Sequence, residues 1–205
     1  MAPRPDVSDQ RRNQIMEAAL TVFSRLGFER ASMDNIAKEA GVSKGALYLY
    51  YKSKDAIIAK LLQLLFYQAL KQVRILAAGE GSVTEQLLAF TRVLTREMDR
   101  MAAMQPISLQ FYAIAARHPT IRQHLRAYFK EYRTLMEEVI QRGVAQDELR
   151  ADINPTEAAI TLTALLEGLA LVWLIDPQAT DWHVQVESST KLLIQGLSAS
   201  PRVLP

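Results

Sequence analysis

Apolar residues recur at steps of three and four through almost the whole chain, the period of a helix with one buried face. In residues 10–27 they are Ile15, Ala18, Ala19, Val22, Phe23 and Leu26. This stripe predicts one helix, with Ser8 or Asp9 to cap its start and Gly27 to end it. A short second helix fits residues 33–40: Ser32 is its N-cap, Ile36, Ala37 and Ala40 face inward, and Gly41 stops it. Val42 and Ser43 form a turn, and Ser43 caps a third helix through Tyr50 or Tyr51. Ser53 caps a fourth, long helix over residues 54–77, which Gly79 and Gly81 break. Ser82-Val83-Thr84-Glu85 reads as a capping box, with serine and glutamate satisfying two orphan N–H groups reciprocally. It opens a fifth helix to about Ala103. Pro106 starts a sixth, ending near His118, and Pro119 a seventh, ending near Leu149. Asn154-Pro155-Thr156-Glu157 starts an eighth helix that ends before Pro177, and Asp181 a ninth that reaches about Leu197. The tail after Ser198 is expected to be loose. No segment shows the period of two of a strand, and no repeat is visible. The chain therefore reads as all-α, with about nine helices.

Composition narrows this only slightly. At 205 residues, 49% hydrophobic and 22% charged, the chain has the make-up of an ordinary soluble protein of one or two domains. It has no cysteine, which excludes disulfides, thiolate zinc sites and cysteine nucleophiles. Net charge is +2, unevenly spread. Residues 1–60 hold ten Lys/Arg against seven Asp/Glu, and the rest holds fourteen against fifteen. The first fourteen residues lack the apolar stretch of a signal peptide. The most apolar segment, residues 158–175, carries Glu167 near its middle, which disfavours a span of lipid. The cytoplasm is the expected location, with no membrane partner.

The most specific motif is Ile36-Ala37-Lys38-Glu39-Ala40-Gly41-Val42-Ser43-Lys44-Gly45-Ala46-Leu47-Tyr48-Leu49-Tyr50. A helix-turn-helix needs a small residue where its helices cross, and Ala37 supplies it. It needs a residue tolerant of positive φ in the turn, and Gly41 stands four positions on. Val42, Leu47 and Tyr50 are the apolar anchors. A plain helical hairpin inside a bundle would satisfy the same spacings.

Residues from about Asp9 to Leu70 resemble the DNA-binding domain of the tetracycline-repressor (TetR) family. The matching stretches are Ile15-Met16-Glu17-Ala18-Ala19, Phe23, Gly27-Phe28, Ile36 through Gly45, Leu47-Tyr48 and Lys52-Ser53-Lys54-Asp55. The resemblance covers about a third of the chain. It implies an obligate dimer whose third helices enter successive major grooves of a palindromic operator in double-stranded DNA. It also implies a C-terminal ligand-binding and dimerisation domain, and most relatives are repressors released by a small molecule. The expected division is a reading head over residues 9–53, reaching with the start of helix four to about 70, and a second domain over 71–198. A helical sensor of the same fold that activates, or that does not bind DNA, is the alternative.

Within the head, Leu47, Tyr50 and Tyr51 are expected to be buried, which leaves Ser43, Lys44, Gly45, Ala46, Tyr48 and Leu49 for the groove. Lys44 can bond a phosphate or reach guanine O6/N7. Gly45 and Ala46 permit close backbone approach. Tyr48 can donate its hydroxyl to a phosphate and lay its ring on a sugar or thymine methyl. Ala46 and Leu49 stand where the family often has hydroxyl residues and histidine, so more apolar contact with thymine methyls is expected. Ser32 and Met33 open helix two, where free amides can meet a phosphate. The resemblance gives Lys54 the role of gripping the backbone. Arg4, Arg11 and Arg12 could form a basic arm or simply be solvated.

Helix eight is apolar on almost all sides, and helix nine carries Val184, Val186, Leu192, Leu193, Ile194 and Leu197. A helix apolar all round must be covered all round. Either the two helices build a homodimer interface, or helix eight is a central core helix. Glu167 could bond across the dimer, orient a ligand or reach solvent. Candidate lining for a lipophilic or aromatic effector is Phe66, Met98, Met101, Met104, Phe111, Tyr112, Tyr128, Phe129, Tyr132 and Trp173, residue types that at helical spacing also build cores. An enzyme is not expected. His118, His124 and His183 are scattered, there is no phosphate loop after a strand, and no cofactor or metal is called for.

Overall fold

The computed structural model describes residues 7–100, 105–178 and 180–199. These form nine helices among the described residues: α1 (Val7–Arg30), α2 (Met33–Glu39), α3 (Lys44–Tyr50), α4 (Lys54–Ala77), α5 (Val83–Arg100), α6 (Gln105–Ala115), α7 (Pro119–Ala145), α8 (Pro155–Ile175) and α9 (Trp182–Leu197). Helix α1 begins at Val7, ahead of the expected caps. It is interrupted at Gly27, whose φ of 73° and ψ of 163° are not helical. Helix α7 stops at Ala145 rather than near Leu149, because Asp147 turns the chain with φ at 56°.

The chain divides into two units, residues 1–65 with 104–125, and residues 66–103 with 126–205. The division differs from a simple cut near residue 70. Helix α6 and the start of α7 group with the N-terminal helices, while α4 and α7 each run through both units.

In the first unit α1 packs on α2 and on α6, and α2 on α3. Ile15, Ala19, Val22 and Phe23 of α1, Ile36 of α2, Leu47 of α3 and Ile57 of α4 are fully buried. The break at Gly27 turns Phe28 inward, where its ring lies 4.6 Å from Phe23 and 5.1 Å from Phe111 of α6. Burying a phenylalanine contributes about 1.5–3 kcal/mol, so this trio is a large share of a small core.

In the second unit α5 and α8 both pack on α9. Its core includes Val73, Leu87, Tyr128, Tyr132, Met136, Leu166 and Trp182. The turn between α4 and α5 is held from two sides. The guanidinium of Arg142 donates to the carbonyls of Leu76 and Ala77, at 3.0 and 2.6 Å, closing the C-terminal end of α4. The carboxylate of Glu148 accepts from the Ser82 hydroxyl at 2.9 Å and from the amides of Val83 and Thr84 at 3.1 and 2.9 Å. Each charge matches the helix dipole it meets. The capping box expected from Ser82 and Glu85 is thus half correct. Ser82 Oγ accepts from the Glu85 amide, but the carboxylate at this helix start comes from Glu148. The tail is tied as far as Ala199, whose amide donates to the Glu148 carbonyl. Residues beyond it lie outside those described.

One face of α8 is buried in this chain, through Ala158, Ala159, Leu162 and Leu166. Ile160, Leu171, Val172 and Ile175 are exposed, as are Val184 and Leu192 of α9. By length and composition α8 is also apolar enough to cross a membrane.

Candidate nucleic-acid interface

The reading head is assembled from local signals. Ser32 adopts an extended backbone and accepts from the Asn35 amide at 3.2 Å, while Asn35 Oδ1 accepts from the Ser32 amide at 3.0 Å. This reciprocal cap starts α2. Gly41, at φ 63°, carries the turn, and the Val42 amide reaches back to the Ala37 carbonyl at 3.0 Å. An L side chain at that φ is strained, which is why glycine stands there. Ser43 then caps α3, accepting from the Ala46 amide at 3.1 Å.

Helix α3 sorts its residues by face. Leu47 is fully buried and Tyr51, its C-cap, nearly so. Ser43, Lys44, Gly45, Tyr48 and Leu49 are exposed and Ala46 is half-buried, so the six residues expected at the groove share the outward side. Leu49 is 77% exposed, on the same outward side. Nothing lies within 4 Å of a Cβ built on Gly45, so its backbone can be approached closely. Tyr50, expected in the core, is only half-buried. Its ring lies beneath the Arg12 guanidinium at 5.5 Å, which draws Arg12 onto the head. Arg11 donates to Gln14 Oε1 at 2.8 Å, and Gln14 Nε2 donates to the Ala40 carbonyl at 2.7 Å, fastening α1 to the end of α2. Arg4 lies outside the described residues.

Two expected contact residues have other duties. Met33 is buried, so only its backbone stands at the helix start. Lys54 Nζ donates to the carbonyls of Phe28, Glu29 and Ala31 at 2.6, 3.2 and 3.0 Å. An ammonium has three protons, and all three are committed to the end of α1. These hydrogen bonds brace the head.

Lys44 is the one cation of α3, and Asp34 of α2 holds it at 2.8 Å. The hydrogen bond to Asp34 and that residue's charge raise the Lys44 pKa above its usual value. To reach a phosphate, Lys44 must leave Asp34. We therefore expect Asp34→Asn to tighten DNA binding about two- to fivefold at low salt, the scale of an exposed ion pair, with the gain shrinking as salt rises. Fluorescence anisotropy on a labelled operator checks this, and weaker binding would contradict it. Nothing in the chain marked Asp34 for this role, since it sits ten residues from Lys44 on another helix.

The candidate effector residues fall in different places. Tyr128 and Tyr132 are buried, and Phe66, Met98, Phe129 and Trp173 pack half-buried against the same core of the second unit. Ring centroids of Phe66 and Tyr128 are 4.2 Å apart, and those of Tyr128 and Phe129 are 5.0 Å apart. Burial and then the nearby Glu167 charge hold the Tyr132 phenol protonated, well above its usual range. Phe111 and Tyr112 belong to the first unit: Phe111 fills its core and Tyr112, about 100° around α6, is exposed. Met101 and Met104 lie outside the described residues.

Comparison with known proteins agrees with this geometry. Residues 15–61 match the family of bacterial regulatory proteins described as the tetR family, and residues 84–192 match the BetI-type transcriptional repressor C-terminal family. A transcriptional regulator of the TetR/AcrR family from Thermobifida fusca YX-ER1 is 30% identical, with a TM-score of 0.67 over 92% of this chain and 98% of that one. A putative transcriptional regulator from Pseudomonas aeruginosa PAO1 is 27% identical, with a TM-score of 0.80 over 94% and 92%. Bacillus subtilis FadR, crystallised with stearoyl-CoA, shares the fold at 21% identity, with a TM-score of 0.77 over 91% and 99%. With its helix-turn-helix head, its all-α second unit and a C-terminal match spanning half its length, the chain belongs to the TetR family of DNA-binding transcriptional regulators.

Proposed function

We propose that the protein is a homodimeric repressor that holds a palindromic operator through two α3 helices and leaves it when a small lipophilic or aromatic molecule occupies the second unit. The observation that carries this reading is the outward face of α3, where Tyr48 and Leu49 stand exposed beside Lys44 while Leu47 anchors the helix. In this reading Tyr48 and Lys44 make the polar contacts, Leu49 and Ala46 meet thymine methyls, and Gly45 lets the backbone approach. The capped starts at Ser32 and Ser43, with the Met33 backbone, offer amides to phosphates. Lys54 contributes by bracing the head.

The apolar residues left exposed on α8 and α9 support pairing of these helices across a two-fold axis. Glu167 within α8 and the burial of one face of that helix, through Ala158, Ala159, Leu162 and Leu166, favour a protein partner over lipid for the exposed face. The BetI-type match supports repression, and the stearoyl chain of the stearoyl-CoA bound by B. subtilis FadR is a precedent for an apolar effector group. Helices α4 and α7 run through both units and are the natural carriers of the signal. A coupling of about 1–3 kcal/mol would change operator affinity from several-fold to about a hundredfold.

Gel shifts on the DNA flanking the protein's own gene test the reading. A sequence-selective, salt-dependent shift is expected, at one dimer per site by light scattering. A monomer at micromolar concentration, or binding that ignores sequence, would overturn it.

A further inference from the structure

Among the described residues, three buried side-chain polar atoms have no hydrogen-bond partner: Arg142 Nε, Trp182 Nε1 and Thr190 Oγ1. They are not equivalent. Arg142 already spends its other nitrogens on Leu76, Ala77 and Gln86. The Thr190 hydroxyl sits on a helix, where rotation of its side chain can bring it to its own backbone. The Trp182 indole N–H is rigid and only donates. Its residue is 5% exposed, so water does not serve it. Buried donors are almost always paired, because an unpaired one loses its hydration without recompense. A phenylalanine would fill such a place with no polar atom at all.

The position of Trp182 is closely fixed. It is the first residue of α9, and Asp181 before it caps the helix by accepting from the Val184 amide. Its ring belongs to the core of the second unit and stacks on Trp173, the centroids 5.4 Å apart and the planes 29° apart. Trp173, near the end of α8, is only half-buried. Half-buried Phe66, Met98 and Phe129 pack elsewhere against the same core cluster. The ring of Trp182 thus meets an aromatic partner within an apolar core, with its donor lacking an acceptor.

We propose that the Trp173–Trp182 pair is the recognition end of an effector site, and that the effector is an uncharged apolar or aromatic molecule whose carbonyl, ester or ether oxygen accepts the Trp182 N–H. This rests on the reading of the second unit as the sensor. Trp173 swings aside and stacks on the ligand, and the acceptor oxygen replaces the missing partner. The donor is neutral and offers no charge to offset the desolvation of a carboxylate, so an anionic ligand is disfavoured.

The test uses three probes: hexylbenzene, hexanophenone, in which a carbonyl replaces its benzylic methylene, and the 4-hexylbenzoate anion, in which a carboxylate is added to the ring. The chain has only two tryptophans, so intrinsic fluorescence reports binding directly. For the wild type we expect hexanophenone to bind about tenfold more tightly than hexylbenzene, the factor one hydrogen bond supplies, and more tightly than hexylbenzoate. In Trp182→Phe the ketone preference should fall within about twofold of unity, read from Trp173. In wild-type NMR spectra the Trp182 indole N–H resonance should move downfield with hexanophenone and not with hexylbenzene. Trp173→Phe, which keeps one tryptophan, assigns that resonance, so the measurement stands even if Trp182→Phe fails to fold. An equal ketone preference in wild type and Trp182→Phe, tighter binding of the benzoate, or no binding of any probe overturns the proposal. If hexylbenzene releases operator DNA as well as hexanophenone does, the sensor reading survives and the role of Trp182 does not.

Discussion

Lys54→Met will lower operator affinity by the same factor at about 50 mM and about 200 mM salt, leaving the slope of affinity against salt unchanged. The reason is that all three ammonium protons are bound inside the head, on the carbonyls of Phe28, Glu29 and Ala31. Those carbonyls close the irregular end of α1, just after the break at Gly27. Hydrogen bonds from a charged donor contribute about 1.5–3 kcal/mol, so the head should lose about 2 kcal/mol of stability. That loss lets α1 shift relative to the start of α4 and weakens the support under α3. A phosphate-gripping lysine behaves differently: its removal would flatten the salt slope by about one unit, with little change in stability. Thermal melts and anisotropy titrations on one variant separate the two outcomes, and a flatter slope would contradict the bracing role.

The second large effect is expected at Glu148. Burial pushes its carboxyl pKa up, but hydrogen bonds from Thr84, Ser82 and Val83 outweigh burial and hold it below the usual 4.5. A carboxylate with a depressed pKa in the folded state adds stability that is fully present above its unfolded value. That stability is lost as pH falls through the folded one. Glu148→Ala should cost about 1–3 kcal/mol near neutral pH, because the amides of Val83 and Thr84 lose their acceptor where α5 begins. Glu148→Gln should keep part of that capping while removing the charge. Its difference from wild type should be largest near neutrality and should shrink as pH falls below about 4.5, where the native carboxylate takes up its proton. Denaturant melts across that range check the sign. A gap that widens towards acid would contradict it.

These residues show where short-range reading stops. The caps at Ser32, Ser43, Ser53, Asn154 and Asp181 all form, because each involves groups within three residues of one another. The period of three and four, together with caps, glycines and prolines, anticipated the nine helices of the described residues. The partners of Lys54 lie 23 to 26 residues away, and those of Glu148 lie 64 to 66. No local spacing announces such pairs. The capping box at Ser82 illustrates the limit: the serine and its amide were legible, while the carboxylate came from beyond α7. The effector candidates mixed two populations for the same reason. Phe111 and Tyr128 both read as inward aromatic residues on amphipathic helices, and nothing along the chain says that they enter different units.

The helix-turn-helix, its turn glycine, its caps and the outward residues of α3 were determined by the order of amino acids alone, since helix period, capping and backbone permissiveness act over a few residues. Which carbonyls Lys54 occupies, that Asp34 restrains Lys44, that Arg142 and Glu148 secure the α4–α5 turn, and that the Trp182 indole is sealed away without an acceptor were decided by packing. These depend on which helix faces meet, and burial alone turns an ordinary lysine, glutamate or tryptophan into a group whose partners, or lack of one, carry free energy.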